Sequence, residues 1–137
     1  MVMLSARYFS VFAFVAVAAF SVVAGPASAN ADITRLERAF EEMRDGDWTA
    51  ARGAVSRAGP LAQDIIDWHW HRAGRGNFEQ VQSFLERRGD WPGLPYLRRR
   101  TEGLVPYRAQ PEAVIAHFDG ALPQTGAGMV VLAAAHE

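Results

Sequence analysis

Gly46-Asp47-Trp48, Gly76-Asn77-Phe78 and Gly89-Asp90-Trp91 are three copies of one phrase: a glycine, a short polar residue and an aromatic. Glycine takes the left-handed conformation that closes a helix. The polar side chain accepts from the first free N–H groups of the next helix, and the aromatic anchors that new helix. Each copy is therefore expected to end one helix and start another. The phrase predicts helices packed in succession, with no sheet.

The apolar spacing between the copies agrees. Ile33, Leu36, Phe40 and Met43 fall on one helical face, which Gly46 ends. Trp48, Ala51, Val55 and Ala58 repeat that spacing up to Gly59-Pro60. A third helix is expected from Leu61 through Ile65 and Trp68 towards Arg72, closed by Gly74 and Gly76. The fourth opens with Asn77 and Gln80, a capping-box pair, and presents Phe78, Val81 and Leu85 with Phe84 beside them. Trp91-Pro92-Gly93-Leu94-Pro95 is a stiff entry to a fifth helix, because each proline disfavours helix in the residue before it yet suits a first turn. Leu94, Leu97, Thr101 and Leu104 form its face. Pro111 to Ala121 is expected as a sixth helix with Val114, Ile115 and Phe118 inward, and a seventh starts at Ala127.

The N-terminus reads differently. Arg7 is the only charge ahead of the apolar run Tyr8 to Ala24, Gly25-Pro26 breaks any helix, and Ala27-Ser28-Ala29 is an A-x-A cleavage pattern. The run is shorter than a full membrane span and contains serine. Residues 1–29 are therefore read as a secretion signal, 30–137 as the exported part, and the location as periplasmic, with no stable membrane anchor after cleavage. A tethered form would require that Ala27-Ser28-Ala29 stay uncut. The chain has no cysteine, so an exported form relies on apolar packing without disulfides. All 14 basic residues are arginine and the formal net charge is −1, which leaves no electrostatic footprint for nucleic acid.

Short helices, each with one apolar stripe, hide those stripes by pairing as antiparallel hairpins. Stacked hairpins make an all-α superhelix, a tetratricopeptide-like solenoid; the caps at Asp47 and Asn77 recur about 30 positions apart, near the period of such units. Met129 to Glu137 reads as helix-forming to the last residue and lacks the polar outer face of a capping repeat. The solenoid is expected to be truncated there and to continue into further units.

With the helices placed, the stretch Asp64 to Arg100 resembles the N-terminal superhelical domain of soluble lytic murein transglycosylases. The resemblance is carried by Asp64-Ile65-Ile66-Asp67-Trp68, Arg72-Ala73-Gly74, Gly76-Asn77-Phe78 and Phe84-Leu85. Its most specific part is Asp90-Trp91-Pro92-Gly93-Leu94-Pro95-Tyr96-Leu97-Arg98-Arg99-Arg100, and a weaker similarity extends from Leu36 to Glu137. His69-Trp70-His71 departs from the more aliphatic and arginine-rich run expected there. The resemblance implies a signal peptide, an α-superhelix and then a lysozyme-like catalytic domain. It also implies peptidoglycan glycan strands and the chain's own catalytic domain as partners. That family cleaves the bond between N-acetylmuramic acid and N-acetylglucosamine and leaves a 1,6-anhydro sugar. Where most glycosidases need two carboxylates, one glutamate suffices, because the substrate's own hydroxyl closes the ring. In the family that glutamate precedes a serine, and no glutamate here does. No catalytic residue is therefore carried over, and no cofactor-binding or metal residue is assigned.

The other constellations read as structural. His69 and His71 are two apart, which on a helix sets them about 200° around the axis from one another, unable to share a metal. Trp68 and Trp70 could stack on sugars, but Trp68 shares the apolar stripe of Leu61 and Ile65 and is expected in the core. Arg87-Arg88 and Arg98-Arg99-Arg100 could meet anionic peptide stems or phosphate, though charge runs on helices are usually solvated. Glu37, Glu41 and Glu42 can pair with Arg38 and Arg44 inside the first helix, which argues against an acid–base dyad. The expected function is the front part of a periplasmic lytic transglycosylase without its catalytic domain. A tetratricopeptide-like adaptor that binds proteins and does no chemistry is the alternative.

Overall fold

The computed structural model describes residues 26–137. Among them are seven α-helices and no strand: α1 (Pro26–Arg44), α2 (Trp48–Val55), α3 (Pro60–Arg72), α4 (Phe78–Arg87), α5 (Leu94–Thr101), α6 (Pro111–Phe118) and α7 (Gly126–Ala134). A 3-10 turn, Glu102–Leu104, follows α5 directly. None of the described helices is long and apolar enough to cross a membrane. The signal reading of residues 1–25 lies outside the described residues, and Ala27-Ser28-Ala29 falls in the first turn of α1.

The first copy of the glycine phrase behaves as the sequence predicts, and the second does so at its cap, although Gly74 and not Gly76 sits at the closing bonds of α3. Gly46 is left-handed (φ +81°), its N–H reaches the Met43 carbonyl, and the next N–H, of Asp47, reaches the Glu42 carbonyl. That pair of bonds closes α1. Asp47 then accepts from the Ala50 N–H at 2.8 Å and opens α2. Gly74 closes α3 by the same pair of bonds, and Asn77 and Gln80 complete a reciprocal capping box at α4. The third copy does neither. Pro92 holds Trp91 out of a helix, and α5 starts only after Gly93, itself left-handed at φ +73°.

Three apolar clusters follow one another along the chain. Ala39, Ala51, Val55, Ala58, Ala62 and Ile66 join α1, α2 and α3. Val81, Phe84, Leu85, Leu94 and Leu97 join α4 and α5, with Trp68 of α3 and Trp91 packed against them. Phe78, Val105, Val114, Phe118 and Val131 join α4 to α6 and α7. Helix α3 is the shared partner, touching α1, α2, α4 and α5.

Several faces are turned from their sequence positions. Ile33 is exposed because α1 presents Asp32 instead, whose carboxylate accepts the Gly59 N–H at 2.8 Å and so caps the base of α3. Leu61 is exposed, and α3 buries Ala62, Asp64, Ile66 and His71. In α6, which ends at Phe118 and not Ala121, Ile115 is exposed and His117 is fully buried. Helix α7 ends at Ala134, three residues short of the expected run, and keeps Met129 and Val130 on the surface.

Candidate functional site

The last turn of α3 and the length of α5 gather the aromatic and arginine side chains. Trp68 spans the two elements: its indole N–H donates to the Pro92 carbonyl at 3.1 Å, and its ring meets that of Trp91 edge to face at 6.4 Å. It sits at the rim of the second cluster, half-buried, and not on a stripe with Leu61. The Arg72 guanidinium lies 4.2 Å above the Trp68 ring and 5.1 Å from the Tyr96 ring. Arg99 lies 5.1 Å from the same Tyr96 ring, and Arg88 caps Trp91 at 5.4 Å. A cation over an aromatic face is attracted by the ring quadrupole, so these stacks hold the arginines in place.

The two arginine runs have different roles. Arg87 and Arg88 are not simply a solvated face. They clamp the buried Asp64, with Arg87 Nη2 at 3.0 Å from one carboxylate oxygen and Arg88 Nε at 2.7 Å from the other. Arg52 and Arg87 also reach Asp67, at 3.1 and 3.8 Å. These pairs tie α3 to α2 and α4. Arg72, Arg99 and Arg100, in contrast, have no carboxylate in ion-pair contact among the described residues. Arg100 folds back beside Gly74, where a side chain would strike the Arg100 carbonyl. The acids of α1 find local partners, Glu42 with Arg38 at 3.6 Å and Glu41 with Arg44 at 3.9 Å.

His69 and His71 go separate ways. His71 is buried against Phe84, and its Nδ1–H donates to the Arg75 carbonyl at 3.1 Å, closing the α3–α4 turn. Burial pushes its pKa below the ordinary histidine value. His69 lies edge-on to Trp68 and to Phe40 of α1, and burial followed by the charge of Arg72 lowers its pKa. Trp70 meets Trp48 edge to face at 5.8 Å between Arg52 and Arg75, and its buried indole N–H has no acceptor among the described residues. Among the described residues no three His, Asp or Glu side chains come together as a metal site.

Across from α5, a groove of about 410 Å³ opens towards the α6–α7 connection. Tyr96, Arg98 and Arg99 line one side, and Phe118, Leu122 and Gln124 the other. Two buried polar residues with no signal in the apolar pattern build this groove. Glu102 is 3% exposed and accepts from the N–H groups of Gln124 and Thr125 and from the Thr125 hydroxyl, at 2.7 to 3.1 Å. Thr125 in turn caps α7 through the Gly128 N–H at 3.0 Å. His117 donates through Nε2–H to the Arg98 carbonyl at 3.2 Å, which docks α6 on the end of α5, and its pKa is lowered by burial. Comparison with protein families, with curated proteins and with solved structures finds no match to this chain.

Proposed function

We propose that this chain is the leading part of a periplasmic lytic transglycosylase acting on peptidoglycan. In this reading it belongs to an α-superhelix that positions glycan strands, while cleavage to the 1,6-anhydro product takes place in a separate catalytic domain. The observation that carries the reading is the stretch Asp90 to Arg100, the most specific part of the resemblance. It forms the proline-gated turn and α5, and it presents Trp91, Tyr96 and Arg99 beside Trp68 and Arg72. Aromatic faces suit the apolar faces of sugar rings, and unpaired arginines suit anionic substituents. Three apolar clusters in chain order, with α3 and α4 each serving two of them, support stacking of successive units.

Purified protein incubated with murein sacculi is expected to co-sediment with them and to release no anhydromuropeptides. Failure to bind would remove the positioning role, and release of anhydro products would overturn the placement of the chemistry elsewhere. The exposed Leu122, Met129 and Val130 favour a second reading, a periplasmic tetratricopeptide-like adaptor that binds proteins without catalysis. The reading frame after Glu137 separates the two: a lysozyme-like segment with Glu-Ser selects the enzyme, and further helical hairpins alone select the adaptor.

A further inference from the structure

Among the described residues six arginines form no ion pair with a carboxylate, and three of them, Arg72, Arg99 and Arg100, gather where the end of α3 meets α5. Arg72 and Arg99 each stand 5.1 Å from the centre of the Tyr96 ring, so their charges are at most about 10 Å apart, twice that distance, and within a screening length of one another. Arg100 lays its guanidinium against Gly74, two residues beyond Arg72: a β-carbon on that glycine would stand 3.7 Å from Nη2. Gly93 makes the same room for Arg72, with Nη1 3.2 Å from the place of the absent β-carbon. The acids nearby are already engaged. Asp64 and Asp67 are held by Arg52, Arg87 and Arg88, Asp119 is paired with Arg98, and Glu102 is bonded to residues 124 and 125. Asp90, ahead of α5, is exposed and forms no ion pair. The face therefore concentrates uncompensated positive charge on a chain whose formal net charge is −1.

Stacking decides how these groups are presented. A guanidinium lying over a ring gives its flat side to the ring and keeps its in-plane N–H edge for an acceptor. Arg99 and Arg100 are exposed, Tyr96 is 41% exposed and Arg72 is half-buried, so a solute can reach the set. Like charges held close together cost stability, and an anion bound to the folded chain offsets that cost. We propose that this α3–α5 face binds a small, multiply charged phosphate anion, its oxygens shared among Arg72, Arg99 and Arg100. Three positive charges with no carboxylate between them favour a ligand of two or more negative charges over a monocarboxylate. The guanidinium fork matches phosphate oxygens, and two linked phosphates suit the spread of the two arginines that share Tyr96. Anionic membranes call for clusters of roughly four to eight basic residues, more than this face holds.

The test is a calorimetric and NMR titration of the full chain with pyrophosphate, with acetate at matched ionic strength and phosphatidylglycerol vesicles as the competing anions. Pyrophosphate is expected to bind with sub-millimolar affinity at low salt and to shift the Nε–H signals of Arg72, Arg99 and Arg100 and the indole signal of Trp68. Its affinity should fall about tenfold between about 20 and about 200 mM sodium chloride. Arg99→Gln and Arg100→Gln should each weaken binding about fivefold. Arg57→Gln, which removes an unpaired arginine between α2 and α3, should leave it unchanged. Thermal melts monitored by circular dichroism establish that the variants fold. No binding of pyrophosphate, equal binding of acetate, equal losses in Arg57→Gln and Arg99→Gln, or binding to vesicles alone would each overturn the proposal. It does not depend on the peptidoglycan reading: co-sedimentation with sacculi is measured on the unsubstituted chain without pyrophosphate, so either result can fail by itself.

Discussion

The α1–α3 unit and the α6–α7 unit are held together by opposite means. The first packs small side chains at close range: Ala39 and Ala51 are fully buried, with Ala58, Ala62 and Val55 around them, and the ion pairs within α1 lie towards the surface. The second packs larger side chains and is fastened by buried polar groups, Glu102 to the α6–α7 connection and His117 to the end of α5. Close apolar packing is intolerant of added volume and indifferent to pH. Buried polar fastening is intolerant of lost partners and sensitive to protons. The two units should therefore fail under different perturbations.

The largest separation is expected from Glu102→Ala. It removes every bond between the 3-10 turn and residues 124–125, and loss of several charge-assisted hydrogen bonds costs about 3 kcal/mol in a urea melt. Hydrogen exchange should accelerate in α7 while amides of α2 stay protected. Uniform acceleration would show that the two units unfold as one. In the other direction, Ala51→Leu overfills the α1–α2 contact and should cost about 2 kcal/mol, with the loss of protection confined to α1–α3. Stability unchanged by this substitution would mean that the small-residue packing has slack.

The smallest effect is on pH dependence. His117, His71 and His69 have folded-state pKa values lowered from 6.5, chiefly by burial. Between the lowered value and 6.5 the unfolded chain binds more protons than the folded one. Stability is therefore full above about 6.5 and falls as pH drops towards the folded-state pKa, by at most about 1.4 kcal/mol per pH unit for each histidine. Urea melts at pH 7.5, 6.5 and 5.5 check the slope, and His117→Gln should flatten it. An unchanged slope in that variant would assign the effect to His69 and His71 of α3 and break the contrast between the units.

Much of the helical plan was legible because its signals are local. Gly46 with Asp47, and Asn77 with Gln80, act within a few residues of one another, and the faces of α2, α4 and α5 carry uninterrupted apolar spacing. The misread positions share one cause. Asp32, Asp64 and His117 occupy inward positions that apolar periodicity gives to Ile33, Leu61 or Ile115, and their partners lie far along the chain at Gly59, at Arg87 with Arg88, and at the Arg98 carbonyl. No local pattern records such pairings. Gly89-Asp90-Trp91 failed for a different reason, since Pro92 overrides the capping residues before it. Of the candidate site, the aromatic and arginine types in α3 and α5 were visible in sequence. Glu102 and the division between paired and unpaired arginines were not, because both depend on tertiary neighbours.

All four tryptophans sit on or against one helix. Trp68 and Trp70 belong to α3, Trp48 rests on Trp70, and Trp91 on Trp68. Intrinsic emission is thus a gauge of how α3 is seated, and it is blind to what happens around α7. An optical melt followed at the indole band reports only part of the molecule, whereas ellipticity registers all of it. Departure of one trace from the other would reveal, without any label, that the far helices have let go first.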